Sequence, residues 1–189
     1  MRVMARKKQH NKMLFIEGTS DTSNGVLSQG FYKLLKKKLE GKMPKINMAD
    51  GKNQAIKKFK NNKVSKKGYL LIDLDTVEQN KESEITNNSL TTYKEYSFFM
   101  IQEMESWFLS QPTILDHFYG KRISNSIPSK HAKDIPDPAT FLERITKDTQ
   151  KGKYHKVNHG TALLELLDAT KLTADFDDFA DLVKKISEG

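Results

Sequence analysis

The strongest constraint on this chain is an alternation near its start. Residues 13–16, Met-Leu-Phe-Ile, form a short apolar run closed by Glu17-Gly18, and residues 45–49, Lys-Ile-Asn-Met-Ala, form a second before Asp50-Gly51. A third, residues 69–72, Tyr-Leu-Leu-Ile, ends at Asp73. Apolar runs of this length bounded by turn residues read as buried strands. Between the first two, Val26, Leu27, Phe31, Leu34, Leu35 and Leu39 recur at helical spacing. Asp21, Ser23 or Asn24 can cap that helix and Gly41 can stop it. Between the second and third runs, residues 54–62 read as a basic helix burying Ala55, Ile56 and Phe59. Strand, helix, strand, helix, strand in this compass predicts an α/β fold with a parallel sheet and right-handed crossovers.

Residues 77–92 are polar and read as a loop. Residues 96–101 predict a fourth strand leading into a helix over 103–110, where Met104, Trp107 and Phe108 share a face and Trp107 reads as core. Beyond Pro112 the pattern is helical over 113–119, 138–146, 161–168 and 175–186, which predicts a helical cap on the sheet. A length of 189 residues suits one domain, with a core over about 12–110 and a helical C-terminal extension over about 111–189. No apolar run approaches the roughly 18 residues of a membrane span, and residues 13–16 are too short for a signal-peptide core. A soluble, cytoplasmic protein with no membrane partner is the expectation. The chain has no cysteine, which excludes disulfides, thiolate nucleophiles and Cys-based zinc sites. Any metal must be held by oxygen or imidazole.

The net charge of +8 is unevenly spread. Residues 1–70 carry 18 Lys or Arg against 4 Asp or Glu, whereas residues 71–189 carry 14 against 20. A basic N-terminal third reads as an electrostatic footprint for a polyanion, or more plainly as a solvated lysine-rich face. Lysine without regular Arg and aromatic interleaving favours backbone contact over base reading.

Three acids fall at expected strand ends: Glu17 after the first strand, Asp73 after the third, and Asp75 two residues on. Open α/β sheets bind ligands beyond the carboxyl ends of their strands. Carboxylates about 4 Å apart repel by about 4 kcal/mol at an effective dielectric near 20, so a cluster calls for a cation. With hard oxygen donors that cation is Mg2+ or Mn2+. Asp73 and Asp75 read equally well as acids that end a strand and cap the next turn. Glu103 and Glu105 compete as a fourth acid, since residues two apart on a helix point about 200° from one another. Glu78 ranks third, completing a D-x-D-x-x-E run. Asp73-Leu-Asp75-Thr-Val77 also matches the first motif of haloacid-dehalogenase-like phosphatases, although that fold wants a later apolar strand ending in paired acids, and Asp177-Asp178 sits in a helical stretch. His155 and His159 lack the H-e-x-x-H context of a metal pair and read as surface residues. Gly18 and Gly51 read as turn formers. No Walker-type or G-x-S-x-G run is present, so the chain is neither the ATPase type nor a serine hydrolase.

A strand closed by Glu17-Gly18 before a helix, followed by a strand ending in Asp73-x-Asp75, resembles the Toprim fold of topoisomerases, primases and OLD-type nucleases. The Glu17-Gly18-Thr19-Ser20-Asp21 turn, Gly51-Lys52-Asn53 with Ala55 and Phe59, the run from Met100 to Leu109 containing Glu105-Ser-Trp-Phe-Leu, and Lys153-Tyr-His-Lys156 together resemble the bacterial Toprim-like domain of unknown function family 4276. That resemblance implies a Toprim-like parallel sheet with Glu17 as proton donor, acceptor or metal ligand and Asp73 and Asp75 as metal ligands. It favours Glu105 as the fourth acid and Lys156 as a phosphate contact. It also implies an ABC/AAA-type ATPase partner and a role in phage defence. The leading expectation is a Mg2+- or Mn2+-dependent nuclease with Lys52, Lys57, Lys58, Lys153 and Lys156 on nucleic acid. Its rival is a non-catalytic subunit of the same fold that holds nucleic acid or the ATPase.

Overall fold

The computed structural model describes residues 12–19, 26–62 and 68–188. Four parallel strands, Met13–Gly18 (β1), Lys45–Asp50 (β2), Gly68–Asp73 (β3) and Ser97–Met100 (β4), form one sheet in the order β2-β1-β3-β4. Parallel strands covered on both faces are apolar throughout instead of alternating. Leu14 to Ile16 and Tyr69 to Asp73 are consecutively buried, whereas edge strand β2 buries only Ala49.

Helix α1 (Leu27–Leu39) joins β1 to β2, and α2 (Lys52–Lys60) carries the chain back across β1 to β3. The direction of travel therefore reverses, and crossovers of one hand put these helices on opposite faces. The crevice beyond the carboxyl ends of β1 and β3 is the topological switch point of the sheet, where folds of this kind bind ligands. Helix α1 buries Leu27, Phe31, Leu34, Leu35 and Leu39, and α2 buries Ala55, Ile56 and Phe59, as their spacing predicts. Gly51, at φ 84°, makes the turn into α2.

The remaining helices are α3 (Lys81–Asn87), α4 (Glu105–Leu109), α5 (Pro112–Tyr119), α6 (Pro138–Thr146), α7 (Asn158–Leu166), α8 (Ala169–Asp175) and α9 (Asp177–Glu188). Helices α7, α8 and α9 pack on α1, and α9 also packs on β4. At Gly30 a side chain would lie 2.8 Å from the Thr161 carbonyl, so the missing Cβ lets α1 and α7 touch. Trp107 is 0% exposed, edge-on to Phe179 at 5.2 Å and to Phe31 and Phe176 at 6.4 Å, and joins the helical part to the sheet as core. The whole is a Rossmann-like α/β architecture with a largely helical C-terminal region. Among the described residues no helix is long and apolar enough to cross a membrane.

Several expectations need correction. Residues 77–92 are not a loop: a 3-10 turn at Glu78–Asn80 leads into α3 and a 3-10 segment follows at Thr91–Tyr96. Helix α3 buries only Ile85, and one apolar anchor leaves no periodicity to read. Gly18 belongs to β1, paired with Asp50, and is not a turn residue. β4 is shorter than residues 96–101, and the helix expected over 103–110 starts at Glu105. The helix expected over 161–168 ends at Leu166, because Asp168 caps a separate helix, α8, by accepting from the amides of Thr170 and Lys171. The proposed caps Asp21, Ser23 and Asn24 lie outside the described residues, and Val26 holds the N-cap position of α1 without a side-chain cap.

Candidate active site

Glu17 and Asp73 stand at the ends of neighbouring strands. The backbone N–H of Asp73 donates to Glu17 Oε2 at 3.0 Å, which ties the two ends together. Asp73 is 4% exposed. Its Oδ1 accepts from the backbone N–H of Met104 at 2.9 Å, an amide at the opening of α4 that the helix itself leaves unpaired. Its Oδ2 accepts from Lys156 Nζ at 3.1 Å.

Beyond β3 the backbone turns sharply. The Asp75 amide donates to the Gln102 carbonyl and the Gln102 amide to the Thr76 carbonyl. Asp75 and Gln102 hold left-handed φ values of 61° and 59°. Such conformations cost non-glycine residues about 1–2 kcal/mol each and concentrate at functional sites. Strand alternation alone would direct Asp73 and Asp75 to one face. The left-handed turn separates them, leaving Asp75 57% exposed and ion-paired with Lys52, which also lies 4.0 Å from Glu84.

Of the three contenders for a fourth acid, Glu105 is the fully buried one. It opens α4 and is 0% exposed, with Oε1 accepting from the Tyr154 hydroxyl at 2.8 Å. Its Oε2 has no hydrogen-bond partner and lies 4.0 Å from Lys156 Nζ. Glu103 is half-buried, feels the charges of Asp73 and Lys156, and accepts from the Ala139 amide at the start of α6, at 3.0 Å. Glu78 is bonded to Lys133 at 2.7 Å. Among the other basic residues of interest, Lys153 pairs with Glu143 at 2.8 Å, Lys58 donates to the Met48 carbonyl at 3.0 Å, and Lys57 is exposed.

Burial, reinforced by the neighbouring Asp73 charge, raises the Glu17 carboxyl to a pKa of about 7. Burial likewise raises Glu105 to about 7, against the opposing pull of Lys156. Asp73 is raised by burial although Lys156 counters it. Burial disfavours the Lys156 ammonium, yet Asp73 and Glu105 outweigh it and hold its pKa above the ordinary lysine value. The site thus contains two carboxyls that exchange protons near neutrality and an ammonium that does not. Glu17, Thr19, Leu27, Lys153, Tyr154 and Lys156 are among the residues lining an adjoining cavity of about 530 Å³.

Among the described residues no three acidic or imidazole side chains converge closely enough to grip an ion. Asp73 and Asp75 instead face ammonium groups. The donor chemistry nevertheless fits a hard divalent cation: carboxylates alone, no thiol, and a buried Glu105 oxygen still without a hydrogen bond. His155 and His159 are engaged locally. His159 Nδ1 meets the Tyr119 hydroxyl at 3.1 Å and the His155 amide at 3.3 Å, and burial lowers the His159 pKa. Asp178, which a phosphatase reading would need beside Asp73, accepts from the Phe99 amide at 3.0 Å and from Lys81 at 2.7 Å, closing the edge of β4.

Sequence reasoning passed over Tyr154, Glu84 and the Met104 amide. Tyr154 lies two residues before Lys156, but one aromatic in a lysine-rich connector does not announce a hydroxyl aimed at a buried carboxylate. No curated protein and no solved structure matches the chain. The family described as Domain of unknown function (DUF4276) matches residues 16–187, a span that takes in the strand-end acids, the Glu105 helix and Lys156. With nearly its full length matched, the chain belongs to the DUF4276 family.

Proposed function

We propose that this chain is a Toprim-type nuclease domain, dependent on Mg2+ or Mn2+, that cleaves nucleic-acid phosphodiester bonds as the effector subunit of an ATPase-associated phage-defence system. The observation that carries the reading is the bond from the Asp73 amide to Glu17, which brackets the switch point of the sheet with two carboxylates. Asp73 and Asp75 would hold the ion, with Glu105 as the fourth acid. A bound Mg2+ or Mn2+ supplies neutralisation of phosphoryl oxygens and a more acidic water. Glu17, with a pKa of about 7, takes a proton from the attacking water or returns one to the leaving oxygen at neutral pH. Lys156 and Lys153 line the cavity beside Glu17, where a phosphate would sit, and Lys52, Lys57 and Lys58 extend the basic surface along α2. The separate ABC/AAA-type ATPase enters this reading through the family resemblance, and the sequence given contains no Walker-type run.

The test incubates plasmid, linear duplex, single-stranded DNA and tRNA with the chain and Mg2+ or Mn2+, with and without an ATPase encoded beside it. Cleavage by the wild type that is lost in Asp73→Asn is the expected result. Cleavage that persists in Asp73→Asn, or none under any of these conditions, overturns the proposal. A non-catalytic subunit is the second reading, favoured by the ammonium partners of Asp73 and Asp75. It requires nucleic-acid or ATPase binding that ignores both metal and Asp73→Asn.

A further inference from the structure

The two ammonium groups of the site are placed differently. Lys52 pairs with an exposed carboxylate, Asp75. Lys156 serves two buried ones: it donates to Asp73 Oδ2 at 3.1 Å and stands 4.0 Å from Glu105 Oε2. That Glu105 oxygen is buried without a hydrogen bond, and a buried carboxylate oxygen with only a distant ammonium is poorly compensated. Yet the Lys156 side chain is 41% exposed, belongs to the irregular connector before α7, and borders the cavity that Glu17 lines. The Lys156 side chain thus meets solvent along part of its length, which the side chains of Asp73 and Glu105 hardly do.

A cation ligated by Asp73 Oδ2 would sit at about 2.0–2.2 Å from that oxygen. An ammonium hydrogen-bonded to the same oxygen would then lie within a few ångströms of it, and like charges that close repel strongly in a partly buried site. Sharing that oxygen is therefore disfavoured. Replacing one ammonium by a dication also suits the local balance, since among the described residues the acids Glu17, Asp73, Asp75, Glu103 and Glu105 outnumber the ammonium groups of Lys52 and Lys156 that act on them.

We infer that Lys156 is a displaceable counter-ion: it holds Asp73 and Glu105 in the metal-free chain and is expelled toward the Glu17 cavity when a divalent cation enters. This rests on the metal-binding part of the proposed function and adds to it. Metal entry then delivers a free ammonium to the place where that reading puts the phosphate, so that the ion and the phosphate contact become available together.

The experiment measures Mn2+ affinity at pH 8 by calorimetry for the wild type, Lys156→Met and Lys153→Met. Lys153, 62% exposed and paired with Glu143, reports the generic effect of losing a nearby charge. Lys156→Met is expected to tighten Mn2+ binding by about tenfold or more, and Lys153→Met by no more than about twofold. A second measurement uses the wild type alone, so that it does not depend on a variant folding. Acylation of Lys156 by an amine-reactive reagent, read by mass spectrometry against Lys153, should rise when Mn2+ saturates the site. Labelling of Lys156 that stays constant or falls at Mn2+ saturation overturns the inference while leaving the metal site intact. So does a Lys156→Met affinity no tighter than that of Lys153→Met. Absence of Mn2+ binding in all three proteins overturns the inference and the metal-dependent nuclease reading together.

Discussion

Lysines at the two ends of this molecule do opposite jobs. Around α1 they reach across to the C-terminal helices: Lys37 donates to the carbonyls of Glu165 and Leu167 at the end of α7, at 2.7 Å for the latter. Lys42 and Lys12 donate to the Ser187 and Ile186 carbonyls at the end of α9, and Lys33 pairs with Glu165. The last carbonyls of a helix have no partner within it and carry its negative dipole end, so these ammoniums act as C-terminal caps between elements. At the strand ends, Lys156 and Lys52 neutralise side-chain carboxylates. Identical side chains thus tie helix ends in one region and balance strand-end carboxylates in the other. What differs is the acceptor: a helix's dipole end in the first case, a full carboxylate charge in the second, buried at Asp73 and exposed at Asp75.

The comparison is sharpest in activity. Asp73→Asn should lower cleavage by on the order of a hundredfold or more, the scale on which preorganised charged groups contribute, whereas Lys37→Met should leave the rate per folded molecule unchanged. Gel-based cleavage assays on the two variants decide this. Equal losses would mean that the helix-end lysines belong to the chemistry too.

Stability should separate the regions next. Lys156→Met leaves the buried Asp73 carboxylate without its cation and is expected to cost about 3 kcal/mol in urea unfolding at pH 8, as broken buried pairs do. Lys37→Met removes a partly exposed helix-end contact and should cost about 0.5–1 kcal/mol. Similar costs would erase the distinction between dipole and buried charge.

The pH dependence of the metal-free protein gives a third measure. Glu17 and Glu105 rise from an ordinary 4.5 to about 7 in the fold, so between these values the folded chain binds more protons than the unfolded one. Stability from these groups is therefore fully present below pH 4.5, falls as pH rises above that, and is lost once pH has passed through 7. A tenfold change in proton affinity corresponds to about 1.4 kcal/mol, which makes the loss at fully buried Glu105 a few kcal/mol. Glu105→Gln should flatten the curve and raise stability at pH 8, while Lys37→Met leaves its shape alone. A metal-free melting temperature that climbs from pH 5 to 8 in the wild type, and in Glu105→Gln alike, would contradict the buried-acid account.

The smallest effect concerns binding. Each phosphate contact contributes about 0.9 to the slope of log affinity against log salt on duplex DNA. Lys57→Ala should lower the measured slope by about that amount, and Lys37→Met should not change it, because that ammonium is already committed to carbonyls. A slope that drops equally in both would return α1 to the polyanion-binding surface.

The alternation of apolar runs and helical spacing near the start determined much of the architecture. Parallel strands with covered faces must be apolar throughout, so residues 13–16 and 69–72 announced themselves, and the periodicity of Leu27 to Leu39 named the buried face of α1 correctly. Such sheets bind ligands beyond their strand ends, and the apolar runs already marked Glu17 and Asp73 as strand-end acids, as they are in β1 and β3. Helix α3 escaped because Ile85 is its single anchor, and α8 because its start depends on one Asp168 cap within a helical stretch.

The partners of each charge were another matter. Composition counts 18 basic residues in the first 70, and nothing local to Lys37 or Lys156 says that one will meet a helix carbonyl and the other a buried aspartate. That Glu105 is buried and Glu103 only half-buried was equally out of reach of spacing alone, since the Tyr154 hydroxyl meets one and the Ala139 amide the other. Local sequence determined which residues would be apolar, helical or at a strand end, because those properties follow from side-chain pattern within a few positions. Only the tertiary structure decided which acid is buried and which ammonium answers it, because burial and charge pairing depend on groups that lie 49 residues apart for Tyr154 and Glu105 and 83 for Lys156 and Asp73.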